Sequence, residues 1–110
     1  NQSLIAEIDE KAAGWMRLNN NQTDKRFYIS SLYVLPTFQG YGIGKRLLNI
    51  AYEEAAKNQY EAVWLGVMTE NVKSVEWYKK NGFHFIEEEP FKIGETVVNH
   101  LIGFKKILNE

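Results

Sequence analysis

The chain has no cysteine. That excludes disulfides, cysteine-ligated zinc and a thiol nucleophile together. Its two histidines, His84 and His100, lie far apart in sequence, so no metal site is expected. Neither charge sign dominates: 13 Lys and Arg against 14 Asp and Glu leave a net charge of -1. A broad nucleic-acid or membrane footprint would need a strongly basic balance. No apolar run approaches the roughly 20 residues that cross a bilayer, and no signal peptide opens the chain. A cytoplasmic protein follows by default. An initiator Met is also missing, and the strand-like "SLIAEI" begins almost at once, as expected of a piece of a longer protein. What remains, 110 residues at 45% hydrophobic and 25% charged, suits one globular domain over residues 1–110 with a single core.

Periodicity divides the chain into alternating elements. "SLIAEI" and "AAGWMRL", joined by "DEK", predict an antiparallel hairpin. "NNNQTDK" (19–25) is a polar loop, and "RFYISSLYV" a strand stopped by Pro36. Leu47, Leu48, Ala51, Tyr52, Ala55 and Ala56 recur at the spacing of one buried helix face. "EAVWLGVM" is a continuous apolar run, as expected of a strand covered on both faces. "ENVKSVEWYKKNGF" reads as a short helix capped by Asn71 and stopped at Asn81-Gly82. "FHFIEEE" and "TVVNHLIGFKKI" form a closing hairpin around the loop "PFKIGE". Trp15 and Trp64 read as core. The order β-β-β-α-β-α-β-β is a mixed α/β domain with one parallel crossover.

"FQGYGIGKR" (38–46) packs three glycines just before the first helix. The dinucleotide fingerprint GxGxxG fails because position 45 is Lys. The P-loop fails because positions 39 and 46 hold Gln39 and Arg46. The physics beneath both motifs survives. A helix start carries unpaired N–H groups and partial positive charge, so its first turn favours acidic residues or a bound anion. Here the first turn offers Lys45 and Arg46, with no acid before Glu53. A bound polyanion would make those cations favourable. The alternative is a glycine-rich turn with two solvated basic residues.

Gln39-Gly40-Tyr41-Gly42-Ile43-Gly44 matches Q/R-x-x-G-x-G/A and thereby resembles the acetyl-CoA loop of the GNAT family of N-acetyltransferases. Its setting is similar too: "LYVLP" precedes it, an amphipathic helix follows, and "WLGVMTENVKSVEWYKKNGF" resembles the family's next strand and helix. The resemblance runs from about Ser3 to the end and is most similar to bacterial spermidine/spermine-type acetyltransferases. It implies a GNAT-like mixed sheet with acetyl-CoA as co-substrate, no metal, and an amine acceptor, a polyamine being one candidate. Protein amines, or CoA binding without catalysis, are the alternatives; a homodimer is compatible with either.

By that resemblance the backbone of Leu32, Tyr33 and Val34 pairs with the pantetheine arm as an added strand. The N–H groups from Gly40 to Lys45 take the pyrophosphate, with Gly42 and Gly44 small so that oxygens can approach. Asn71 caps its helix and also reaches the cofactor arm. The family's N-terminal strand and two helices have no counterpart here. Relatives carry a catalytic glutamate where this chain has Gly66, or near Ser30 or Ser31, so no base is assigned.

Acetyl transfer to an amine needs a neutral nucleophile, a stabilised oxyanion and a protonated leaving thiol. A lysine-like amine has a pKa of about 10.4, so neutrality at pH 7 costs roughly 4.6 kcal/mol. Without cysteine, direct attack in a ternary complex is the simpler scheme. Tyr78 is the candidate acid that protonates the thiolate; the competing reading has Trp77 and Tyr78 filling a core face. The oxyanion donor is expected at a strand bulge near Val34 or Leu35. Glu87, Glu88 and Glu89 could attract a polyamine but also suit a solvated strand end. His84 and His100 are expected as packed or surface strand residues rather than catalytic ones.

Overall fold

The structure, a computed structural model, describes residues 2–8, 10–21 and 25–107. Their order is β1 (Gln2–Ile8), β2 (Lys11–Asn21), β3 (Arg26–Val34), α1 (Ile43–Lys57), β4 (Ala62–Met68), α2 (Val72–Lys80), β5 (His84–Ile93) and β6 (Thr96–Lys106). This is the mixed α/β order that the periodicity predicts. A 3-10 turn, Pro36–Phe38, leads from β3 into the glycine loop. The six strands make one sheet in the order β1-β2-β3-β4-β6-β5. Every neighbouring pair is antiparallel except β3 and β4.

That parallel seam is short. β3 and β4 pair only at Phe27↔Val63, Tyr28↔Trp64 and Ile29↔Leu65. Beyond it β3 stays with β2 as far as Val34, while β4 stays with β6 as far as Met68. The sheet therefore opens as a V. The turning point is a bulge: Arg17 faces Ser31 but Leu18 faces Ile29, leaving Ser30 as an extra residue on β3. A bulge bends its strand and strengthens the local twist. It sits where the pairing with β4 stops.

One face of the sheet carries the core. α1 buries Ile43, Leu47, Leu48, Ala51 and Ala55, a single stripe at helical spacing. They cluster with Met16, Leu18, Ile29, Val63 and Leu65 from the strands. α2 adds Val75 and Tyr78 to the same cluster. The two helices touch at Gly44, where an added Cβ would stand 3.1 Å from the Trp77 ring. A side chain at Gly44 would therefore meet α2, which is reason enough for glycine there.

The opposite face is less covered, which corrects three expectations. In β4, Val63, Leu65 and Val67 are buried while Gly66 and Met68 are exposed, so only one face is covered. Trp64 lies on the open face, stacked 4.9 Å from Phe104 with the Arg26 guanidinium 3.6 Å above its ring. Trp15 is 44% exposed and stacks on Tyr33, with centroids 4.7 Å apart. Neither tryptophan fills the core. The last hairpin is also longer than expected: β5 runs through Pro90 to Ile93, leaving only Gly94-Glu95 as the turn. An edge strand tolerates proline because one side of its ladder is free. Glu87–Glu89 consequently sit within a strand rather than at its end. At the other hairpins, Asn19–Asn21 belong to β2, and Asp9 and residues 22–24 lie outside the described residues. No described helix is long and apolar enough to cross a membrane.

Candidate active site

The open half of the V is a cleft of about 420 Å³. Its walls are the diverging strands, Ser30–Tyr33 of β3 and Gly66–Met68 of β4. Along these stretches the two strands no longer bond to each other, so each turns one row of backbone groups to the gap. Such an edge is a template for another extended chain. Leu32 and Tyr33, both expected to bind a cofactor arm, line it. Val34 ends β3 beside it, and its carbonyl already accepts a hydrogen bond from Gln39 Nε2 at 3.1 Å. Gln39 thereby ties the glycine loop to the strand end.

The loop leads from that edge to the start of α1. Gly40 and Gly42 have φ of +91° and +77°, and a Cβ on either would meet nothing within 4 Å. Left-handed backbone requires glycine here, and the space beside the loop is open. Gly42 is the N-cap residue and provides no side-chain cap, so the first helical bond is Arg46 N–H to the Gly42 carbonyl at 3.1 Å. The N–H groups of Ile43, Gly44 and Lys45 are then without intrahelical acceptors. The first turn contains no acid, and Lys45 and Arg46 are exposed beside it. This loop fits a pyrophosphate: donors, glycine conformation, open space and cations coincide. Ile43 can take part only through its backbone, because its side chain is 94% removed from solvent in the core, at 6% exposure. Tyr41 stands out from the loop at 70% exposure.

α2 closes the side of the cleft nearest β4. Asn71 Oδ1 accepts from the Ser74 N–H at 3.3 Å, so Asn71 is the N-cap as expected. Asn71, Ser74 and Tyr78 all line the cleft. Tyr78 satisfies both competing readings, being a core residue at 9% exposure and a wall of the cleft. Burial, and secondarily nearby Tyr52, pushes its phenol up to about 12. It is protonated at every physiological pH. Complete transfer to a thiolate near the ordinary 8.5 would be uphill by roughly 5 kcal/mol, so this phenol is better suited to donating a hydrogen bond. The Tyr52 hydroxyl is itself buried without a hydrogen-bond partner, and burial raises it to about 12.

Several expectations change at this level. The bulge is at Ser30, not near Val34 or Leu35, and the Leu35 N–H is spent on the Ala13 carbonyl at 2.8 Å. Leu35 is therefore no oxyanion donor. Glu87 is paired with Arg26 at 3.3 Å. No Asp or Glu lines the cleft among the described residues. His84 is an exposed strand residue, but His100 lines the cleft, as do Ser74, Met68 and Trp15. Sequence reasoning placed none of these four in the site. Ser74, three residues after Asn71 and four before Tyr78, could have been found from helical spacing.

Residues 1–83 match the acetyltransferase (GNAT) family. An uncharacterized N-acetyltransferase of Mycobacterium tuberculosis (strain H37Rv) is 28% identical over 105 residues, which cover 96% of this chain and 67% of that protein. The N-alpha-acetyltransferase 50 of Danio rerio is 32% identical over 86 residues, covering 76% and 51%. Among solved structures, Arabidopsis thaliana Naa50 in complex with the bisubstrate analogue CoA-Ac-MVNAL superposes with a TM-score of 0.78 at 27% identity. That match covers 94% of this chain and 71% of the other. The chain thus spans about two thirds of the mycobacterial relative and about half of the zebrafish one.

Proposed function

The chain belongs to the GNAT family of acetyl-CoA-dependent acetyltransferases, and from that premise we propose that it transfers an acetyl group to a primary amine by direct attack. The carrying observation is the V between β3 and β4, which ends beside an uncapped, cation-flanked helix start. In this reading the arm of acetyl-CoA lies along Leu32–Val34 as an extra strand. Its pyrophosphate meets the N–H groups from Gly40 to Lys45. Asn71 and Tyr78 face the thioester end, and Tyr78 donates a hydrogen bond to the departing sulfur. That placement of Tyr78 favours an enzyme over a CoA-binding module without activity.

The acceptor is the finer question, and we infer a peptide N-terminal α-amine rather than a polyamine. A polycation would be held by carboxylates, but none lines the described cleft: Glu87 is paired with Arg26, and Glu89 stands outside the lining, opposite His100 on β5. The exposed large apolar groups on its walls are instead Trp15, Tyr33 and Met68. Energetics agree. An α-amine of pKa about 7.7–8.0 costs only about 1 to 1.4 kcal/mol to neutralise at pH 7, against roughly 4.6 for a lysine-like amine. A site without a carboxylate base suits the former. The names of the zebrafish and Arabidopsis relatives point the same way. Competing amines decide it: acetyl-CoA is offered with a free-N-terminus peptide, an N-blocked lysine peptide, or spermidine, and thiol release is followed. Turnover is expected with the first. Turnover with spermidine alone would restore the polyamine reading, and CoA binding without turnover would indicate a binding module.

A further inference from the structure

The geometry points to His100 as the base that takes the proton from the acceptor ammonium. This rests on the acetyltransferase reading above. Gly66 leaves β4 without a carboxylate at the cleft, and Ser30 and Ser31 leave β3 without one. The cleft nevertheless holds one imidazole, and it comes from β6. His100 pairs with Met68, the last residue of β4, just where β3 has bent away. Thr69 pins that junction: its N–H and its hydroxyl both donate to the Asn99 carbonyl, at 3.0 and 3.3 Å.

The ring is fixed as well as placed. Nδ1 lies 3.2 Å from the Val98 carbonyl oxygen, and a carbonyl can only accept, so Nδ1 carries the hydrogen. In the neutral ring the lone pair is then on Nε2. Phe91 of β5 stacks on the imidazole, with centroids 4.3 Å apart and planes inclined by 32°. A half-buried imidazole with one nitrogen anchored and the other basic has the form of a positioned proton acceptor. The titratable groups facing it are Glu89 opposite on β5, and Tyr33 and Tyr78 across the cleft; β4 presents only Met68.

The proton and electron balance is simple. The ammonium gives one proton to Nε2, and the freed nitrogen pair forms the bond to the thioester carbon. The carbon–sulfur bond breaks, its electrons leave on sulfur, and the second proton shed by nitrogen balances the one that sulfur takes up. His100 returns its proton to solvent. The products are an amide and a free thiol.

The test is His100→Gln, which keeps a hydrogen-bonding side chain of similar size. With a free-N-terminus peptide at pH 7, kcat/KM should fall on the order of 10²-fold, while melting temperature and CoA affinity hold. The wild-type profile should show an acidic limb that the variant lacks, because a protonated imidazole cannot accept the ammonium proton. The deficit should shrink as pH rises, because the α-amine then loses its proton unaided. His100→Ala should be partly rescued by added imidazole. A wild-type-like rate with the same acidic limb in His100→Gln would overturn the assignment. So would a folded His100→Ala that imidazole does not rescue. Wild type is the control: if no amine is acetylated at all, the acetyltransferase reading itself falls and takes this role with it.

Discussion

The two halves of the β3–β4 seam are made from the same strands and behave oppositely. In the closed half Phe27, Ile29, Val63 and Leu65 are buried, and their backbones are paired. In the open half, Ser30–Tyr33 and Gly66–Met68, Val67 still faces the core, but Ser30, Tyr33, Gly66 and Met68 are exposed and the ladder between the strands has stopped. Unpaired backbone groups are a liability in a sheet unless water or a ligand satisfies them. The closed half is therefore where the strands contribute stability. The open half gives up sheet bonds and leaves a place that an extended ligand can complete. One extra residue, Ser30, marks the change.

Breaking the closed half should have the largest effect. Leu65 is 2% exposed at the centre of the core, so Leu65→Ala should cost about 2–5 kcal/mol of stability. Each kcal/mol lowers the melting temperature by roughly 4–8 °C in a domain of this size. Ser31→Ala, on the open side, should stay within about 0.5 kcal/mol of wild type. Calorimetry on the pair measures the contrast. Equal losses would mean that the seam does not divide as described.

Tyr78 sharpens the comparison because it belongs to both halves, packed in the core and facing the cleft. Tyr78→Phe should leave acetyl-CoA affinity and neutral-pH stability nearly intact and lower kcat on the order of 10²-fold. An acetyl donor with a more acidic thiol should recover much of that loss. An unchanged, chemistry-limited kcat would make Tyr78 purely structural. The same variant has a second signature. The wild-type phenol titrates at about 12 when folded and near 10 when unfolded. Its contribution is thus fully present below pH 10 and lost as pH rises through 12. That is about 2–3 kcal/mol of alkaline destabilisation, which Tyr78→Phe should remove.

How much of this the sequence disclosed depends on the range of the interaction. Helices write their faces and ends locally. The buried stripe of α1, the Asn71 cap and the Asn81-Gly82 end of α2 are all where spacing and capping chemistry predict. The glycine loop is equally local, although Gly44 turned out to answer to Trp77 on the other helix. Strand alternation, by contrast, tells which residues share a face, not whether anything covers it. Hence Trp15 and Trp64 read as core and lie on the open side. Nor does alternation say which strand is next door. The pairing that sets His100 beside Met68 joins distant segments, and no local pattern marks it. The bulge at Ser30 was hidden for the same reason: it exists only relative to Arg17 and Leu18 on β2.

An amide-resolved NMR titration with CoA distinguishes the two halves within a single sample. Amide signals of Leu32–Val34 and Gly40–Lys45 should shift and saturate with one affinity, while those of the N-terminal strand around Leu4 stay in place. In Gly42→Val, whose backbone at φ +77° resists a β-branched residue, the loop signals should no longer respond. Shifts confined to other surfaces, or a full response in Gly42→Val, would contradict a ligand held along the open edge of β3 and at the start of α1.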